Sequence, residues 1–280
     1  MSETRDFVTP PELANGSEPS SPDVTGPDVQ QDAGLLAFTI AENVDLTPLV
    51  PLSEVASLTI DGFAAAEDIA LPNLQSIEGD LIICHNEGLL DVQFSTLTAV
   101  GGDLVLCDNT ALYDAAFPVL STIGGSLKIL ANDELSDVNL LALTSTSGIE
   151  INSDGLLDLE LGALIRVQGS LRVGQESFAA NTNLSSLDVP NLVSVEGDLL
   201  VQRNSDLATL DARSLLSIGG AMTISDNDAL SELHLEALLS VQGAACVCSN
   251  ASLDACDAKA VDDALLTQNV DVTGNDGQCL

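Results

Sequence analysis

Aromatic residues are nearly absent from this chain, which has no Trp, one Tyr and six Phe among 280 residues. Its core must therefore be built from Leu, Ile and Val, as suits thin stacked coils rather than a globule packed around large rings. Bases are almost as scarce, with seven Lys and Arg against 43 Asp and Glu and a formal net charge of −36. That charge excludes electrostatic binding to nucleic acid or to an anionic membrane, and leaves cations and basic or neutral molecules as partners. No segment approaches the roughly 18 apolar residues of a membrane span. A Gly-rich phosphate loop, a Ca²⁺-binding nonapeptide repeat and the outward Thr ranks that would meet ice are all missing. The opening residues MSETRDFVTPPELANG lack the apolar run of a secretory signal.

What is present is repetition. Within Gly79 to Leu112, the residues Leu81, Ile83 and Asn86 return as Leu104, Leu106 and Asn109, 23 positions later. A period of that length marks a solenoid, in which each coil buries its apolar face only against its neighbours. The aligned strand starts are Phe38, Leu58, Leu81, Leu104, Leu127, Ile149, Leu171, Leu199, Met222 and Ala245, separated by 20, 23, 23, 23, 22, 22, 28, 23 and 23 residues. The first and third residues of every strand are apolar, so both point inward; the second is mixed and faces out. In a parallel stack Lys128, Glu150 and Arg172 form a surface charge ladder, which reads as structural.

Two further columns set the turns. Gly recurs two residues before the strand (Gly79, Gly102, Gly125, Gly169, Gly197, Gly220, Gly243), where a positive φ is expected. Asn recurs five residues after the strand start (Asn43, Asn86, Asn109, Asn132, Asn204, Asn227, Asn250), and stacked amides there would hydrogen-bond along the axis. Leu89, Leu112, Leu135, Leu157, Leu207, Leu230 and Leu253 add a third apolar column, and Leu97, Leu120, Leu143, Leu192, Leu215 and Leu238 a fourth.

The unit L-x-x-I-x-G-D-L-x-I-x-x-N-x-x-L, seen at Leu74 to Leu89 and Leu192 to Leu207, resembles the receptor L-domain repeat of growth-factor and insulin receptor ectodomains. It is more similar still to fungal GPI-anchored cell-wall proteins and bacterial surface proteins of the same repeat type. The resemblance covers Leu35 to Cys279 and implies a right-handed leucine-rich β-helix, an extracellular setting and a binding role without catalysis. A receptor-style Cys-rich module, a kinase and an anchor signal do not accompany it, so receptor signalling is not implied.

Three segments follow. Residues 1–34 are an acidic, Pro- and Ser-rich tail read as disordered, 35–250 the mainly β solenoid of about ten coils, and 251–280 a Cys-containing cap. In the cap, Cys256, Ala260, Val261, Ala264 and Leu265 fall on one stripe of a short helix, expected to close the open end of the core. Two irregularities interrupt the repeat: extra residues near Gln175 to Asn183, expected to loop out, and Asp154 in place of the ladder Asn.

Chemistry-bearing groups are few. The six cysteines suit an oxidising compartment. Cys84 and Cys107 occupy one column of adjacent coils, at a spacing a disulfide can span. In the cap Cys256 with Cys279 is the favoured pair, leaving Cys246 and Cys248 unassigned; the irregular spacing of these four argues against a zinc knuckle. Asp80 and Asp103 share a column and are read as a solvated acidic turn, with Ca²⁺ as the sharper reading. His85 stacks beside Asp108, yet two histidines in the chain do not make a Ser/His/Asp device. No cofactor and no catalytic residue is assigned. The expectation is a non-catalytic surface or secreted protein that recognises a protein or carbohydrate ligand. The competing expectations are a carbohydrate-active β-helix enzyme and a cytoplasmic interaction scaffold. The sequence leaves oligomeric state open.

Overall fold

The computed structural model describes residues 37–41, 50–62, 64, 67–153, 155–174, 183–265 and 270–277, all within one compact unit. It is a parallel β-solenoid with a short C-terminal helix. On its main face ten strands stack in parallel from Ala37–Ala41 to Ala245–Cys248, in the register read from the repeat: Leu58 against Leu81, Leu81 against Leu104, and so on to Met222 against Ala245. Among the described residues eight of these rungs continue into a strand on a second face, which makes eight complete turns. The first and third residues of the strands are inside: Leu81, Ile83, Leu104, Leu106, Leu127 and Ile129 have no accessible surface. The core is aliphatic except for Phe94 and Phe117, one period apart, whose rings stack at 5.4 Å.

The turns differ from expectation in one respect. Positive φ falls just before each Asn rather than at the recurrent glycines: His85, Asp108, Ala131, Arg203, Asp226 and Ser249 all have φ of 52–58°. The glycines are required by crowding instead. A Cβ on Gly102 would lie 2.0 Å from Asp80 Oδ1, and one on Gly125 would lie 2.2 Å from Asp103 Oδ1. Each of these aspartates leans over the next rung to accept a backbone N–H, Asp80 from Asp103 at 2.8 Å and Asp103 from Ser126 at 2.7 Å. Asp198 repeats the device on Ala221 at 2.9 Å.

Inside the corner the Asn ladder forms. Asn86 Nδ2 donates to Asn109 Oδ1 at 2.7 Å and Asn109 to Asn132 at 2.9 Å; after a gap Asn204 donates to Asn227 at 3.0 Å and Asn227 to Asn250 at 3.2 Å. The second N–H of each amide goes back to the preceding rung, as from Asn86 to the Ile60 carbonyl and from Asn109 to the Ile83 carbonyl. All six of these amides are completely buried, which is tolerable because their donors and acceptors are matched. Asn275, outside the repeat, extends the second run past Asn250. Asn43 and Asp154 lie outside the described residues.

One coil breaks the pattern. Between Thr122–Leu130 and Ser145–Asn152 the pairing shifts register after Ile123, absorbing the missing residue of the 22-residue step. Here Ser153 stands in for the ladder amide, with its hydroxyl donating to the Asn132 carbonyl at 2.7 Å. The column position expected for Leu157 is filled by Leu156, which is fully buried, while Leu157 is half exposed. On the second face the strands Asp137–Asn139 and Asp158–Glu160 do not pair, and that face is split into two four-stranded sheets, 67–139 and 158–234. The main sheet runs through unbroken, and its two longest strands flank the split. The insertion at 175–182 is outside the described residues, yet register resumes across it, Leu171 pairing with Leu199 and Asp158 with Ser186.

The helix Ala255–Ala264 closes the far end, with Asp254 capping it by accepting the Cys256 N–H at 2.7 Å. Its buried stripe is rotated from the expected one. Ala258, Val261 and Leu265 face the core, while Ala260 and Ala264 are exposed. Residues 270–276 then add a last rung to the main sheet, Val247 N–H donating to the Asp271 carbonyl at 2.8 Å and Ser249 N–H to that of Thr273 at 2.8 Å. No helix among the described residues is long and apolar enough to cross a membrane.

Candidate functional site: the acidic second face

The second face carries the densest array of like groups. Its middle column, Ile69, Val92, Ala115 and Val138 and then Leu159, Leu187 and Leu210, is buried, and the residues on either side point away from the core, most of them reaching solvent while Asp211 stays buried. On one side stand Asp68, Asp91, Asp114 and Asp137, in register on successive rungs and 23 residues apart. Past the split the row resumes with Asp158, and a second acidic row, Glu160, Asp188 and Asp211, ends at His234. Rungs about 4.8 Å apart place the carboxylates within mutual repulsion.

The charges respond accordingly. Burial raises the Asp114 carboxyl above its ordinary value, with Asp91 and Asp137 adding to the effect. Asp188 is raised in the same way by burial, Asp211 and Asp158. Asp211 escapes because the Arg213 guanidinium grips it, at 2.6 Å from Nη2 to Oδ2, and holds it below the usual range. Asp91 is only half satisfied. Its Oδ2 accepts from Gln93 at 2.9 Å, while its Oδ1 is buried with no hydrogen-bond partner among the described residues.

At the split lies a cleft of about 430 Å³, lined by Ser136, Asp137, Asn139, Leu141, Leu157, Asp158 and Glu160. Two half-exposed leucines, Leu141 and Leu157, flank its three carboxylates. Asp158 is held by the hydroxyls of Ser185 at 2.7 Å and Ser186 at 2.9 Å. Chemically the face offers repeated anionic acceptors to a basic or hydroxyl-rich partner, with an apolar step at the cleft.

The groups singled out from sequence sit elsewhere. Asp80 and Asp103 are adjacent at a corner of the main sheet, each with Oδ1 taken by the following rung. Asp103 Oδ2 also meets Lys128 Nζ at 2.7 Å, and despite burial these bonds hold its carboxyl below the usual range. A Ca²⁺ ion there would have to compete with them. His85, exposed, lies between Asp61 at 3.0 Å and Asp108 at 3.7 Å. Lys128, Glu150 and Arg172 are stacked in register as expected. Cys84 and Cys107 form a disulfide with Cα atoms 4.6 Å apart. Cys246 and Cys248 are bonded to each other, and beside Asp271 they make up the one group among the described residues with metal-ligand spacing. Cys256 is disulfide-bonded, while Cys279 lies outside the described residues.

The acidic rows stand out less in the sequence than the main strand, whose apolar pair dominates each repeat. Their signal is nonetheless printed in the chain, an Asp one residue before an inward apolar residue at 68, 91, 114 and 137. No protein-family model, curated protein or solved structure matches the chain.

Proposed function

We propose that this protein is a non-catalytic binding or structural module displayed at a cell surface or secreted, with a repeat of the receptor L-domain kind, and that it meets a protein or carbohydrate ligand across an extended sheet face. The observation that carries this reading is the acidic second face, where like groups are presented in register over successive rungs. Such a face suits a partner that is itself extended, because many weak contacts at a fixed spacing add along its length. Binding measured on immobilised neutral and basic polysaccharides and on basic proteins tests it. Asp91→Asn with Asp114→Asn is expected to weaken retention about tenfold without lowering the melting midpoint. Equal retention by the double variant on every ligand bound by the parent would overturn the assignment of this face.

One observation favours a second reading. The cleft at the split gathers Asp137, Asp158 and Glu160, as a carbohydrate-active enzyme would require. Turnover of a polysaccharide that is abolished by Asp137→Asn or Glu160→Gln would replace the binding reading with this one.

A further inference from the structure

The two faces of the solenoid end differently. The main sheet is finished by the rung 270–276, which pairs with Ala245–Cys248. Among the described residues the last strand of the second face is Glu232–His234, and beside it the helix Ala255–Ala264 lines a groove of about 490 Å³. Backbone bonding shows what the groove lacks. In successive rungs the residue following the strand donates to the next rung: Leu161 to the Asp188 carbonyl, Val189 to that of Asp211, Ala212 to that of His234. The next donor in this column is the Leu235 N–H, which no acceptor among the described residues takes.

The walls are suited to an added strand. Val261 and Leu235 form an apolar floor, and the exposed Ala260 and Ala264 give the helix wall a smooth surface. Carboxylates stand along the rim at Glu232, Glu236 and Asp257, all exposed. The one base in the groove, His234, is bound to Glu236 at 2.9 Å.

We propose that this groove binds an extended basic peptide segment of a partner protein, which joins the second face as its next strand. Its backbone takes the Leu235 N–H, alternate apolar side chains enter between strand and helix, and intervening Lys or Arg side chains meet the rim carboxylates. Charge selects this occupant over the alternatives. A second copy of the chain would bring another −36, and the chain's own residues 1–34 carry seven Asp and Glu against one Arg. The inference concerns the end of the solenoid, so it stands whether or not the acidic face binds anything.

The test uses the full chain and an acetylated peptide of alternating Lys and Val, about eight residues long, followed by fluorescence anisotropy. Binding is expected to weaken as NaCl is raised. Methylating the backbone nitrogens on one edge of the peptide should reduce affinity about tenfold or more, since those groups could no longer pair with the strand. Ala260→Phe, at an exposed helix position, should fill the groove and abolish binding with the melting midpoint unchanged. Glu232→Gln with Asp257→Asn should flatten the salt dependence. Affinity undiminished by N-methylation on either edge of the peptide, or by Ala260→Phe, would show adsorption to the acidic surface and overturn the proposal. So would self-association of the chain that Ala260→Phe abolishes in the absence of peptide binding.

Discussion

A buried amide in a parallel solenoid must be satisfied both along the stack and toward the backbone, and Asn109 does both. Its side chain accepts from the Asn86 backbone and amide and donates to Asn132 and to the Ile83 carbonyl. Asn109→Ala removes these bonds and strands groups on two neighbouring rungs. We expect a loss of about 2–4 kcal/mol in denaturant unfolding, and a loss no larger than that of an exposed-site control would refute the structural role of the ladder. Ala131 sits at the same corner with φ of 52° and no compensating side-chain polarity. Ala131→Gly should therefore stabilise by about 0.5–1 kcal/mol, whereas Gly102→Ala, which would push a Cβ onto Asp80, should cost about 2 kcal/mol or more. The Asn column was legible because a buried amide recurring at one spacing must find its partners on the neighbouring rungs, and Ser153 shows that a hydroxyl can take its place where the coil is shortened. The recurrence of Gly was equally legible but its cause was not, since Gly recurs both where φ is positive and where a neighbouring chain passes too close.

At the scale of single elements, strands were easier to place than what surrounds them. A β-strand repeats every two residues, so one apolar pair fixes its face, and the whole main-sheet register could be read from Leu81 and Ile83 outward. Leu156 and Leu157 show the limit: two adjacent leucines satisfy the same pattern, and only the shortened coil decides which is inside. The cap helix was likewise found but rotated, because Ala, which is common on either face, fills much of its stripe. The Cys84–Cys107 bridge joins two rungs and closes a loop between residues 23 apart. Its loss in a Cys84→Ser, Cys107→Ser double variant should lower stability by about 3 kcal/mol. An unchanged denaturation midpoint would mean that the rungs hold their spacing without it.

Across the whole molecule, carboxylates decide how stability follows solution conditions. Asp114 and Asp188 ionise less readily than usual, so folding gains as pH falls toward and through their raised values, above the ordinary 3.8. Asp103, Asp211 and Asp271 are held low by their partners, and the stability they supply is lost only as pH falls below 3.8. The melting midpoint should accordingly rise as pH falls from neutrality while Asp114 and Asp188 take up protons, and drop once the carboxylates held low are protonated, and Asp114→Asn should flatten the rise. A midpoint that falls steadily from neutrality would contradict this. Salt should raise the midpoint at neutral pH by screening the charge of −36. If Ca²⁺ acts far below the concentration at which Na⁺ does, Asp80 and Asp103 are the residues to substitute. The split between Asp137–Asn139 and Asp158–Glu160 has a mechanical meaning as well. A beam that is continuous along one side and notched along the other yields in a single direction, so this molecule should bend by opening at the notch while its main sheet acts as the hinge, and a rod-like load applied to the second face would find a compliant point there.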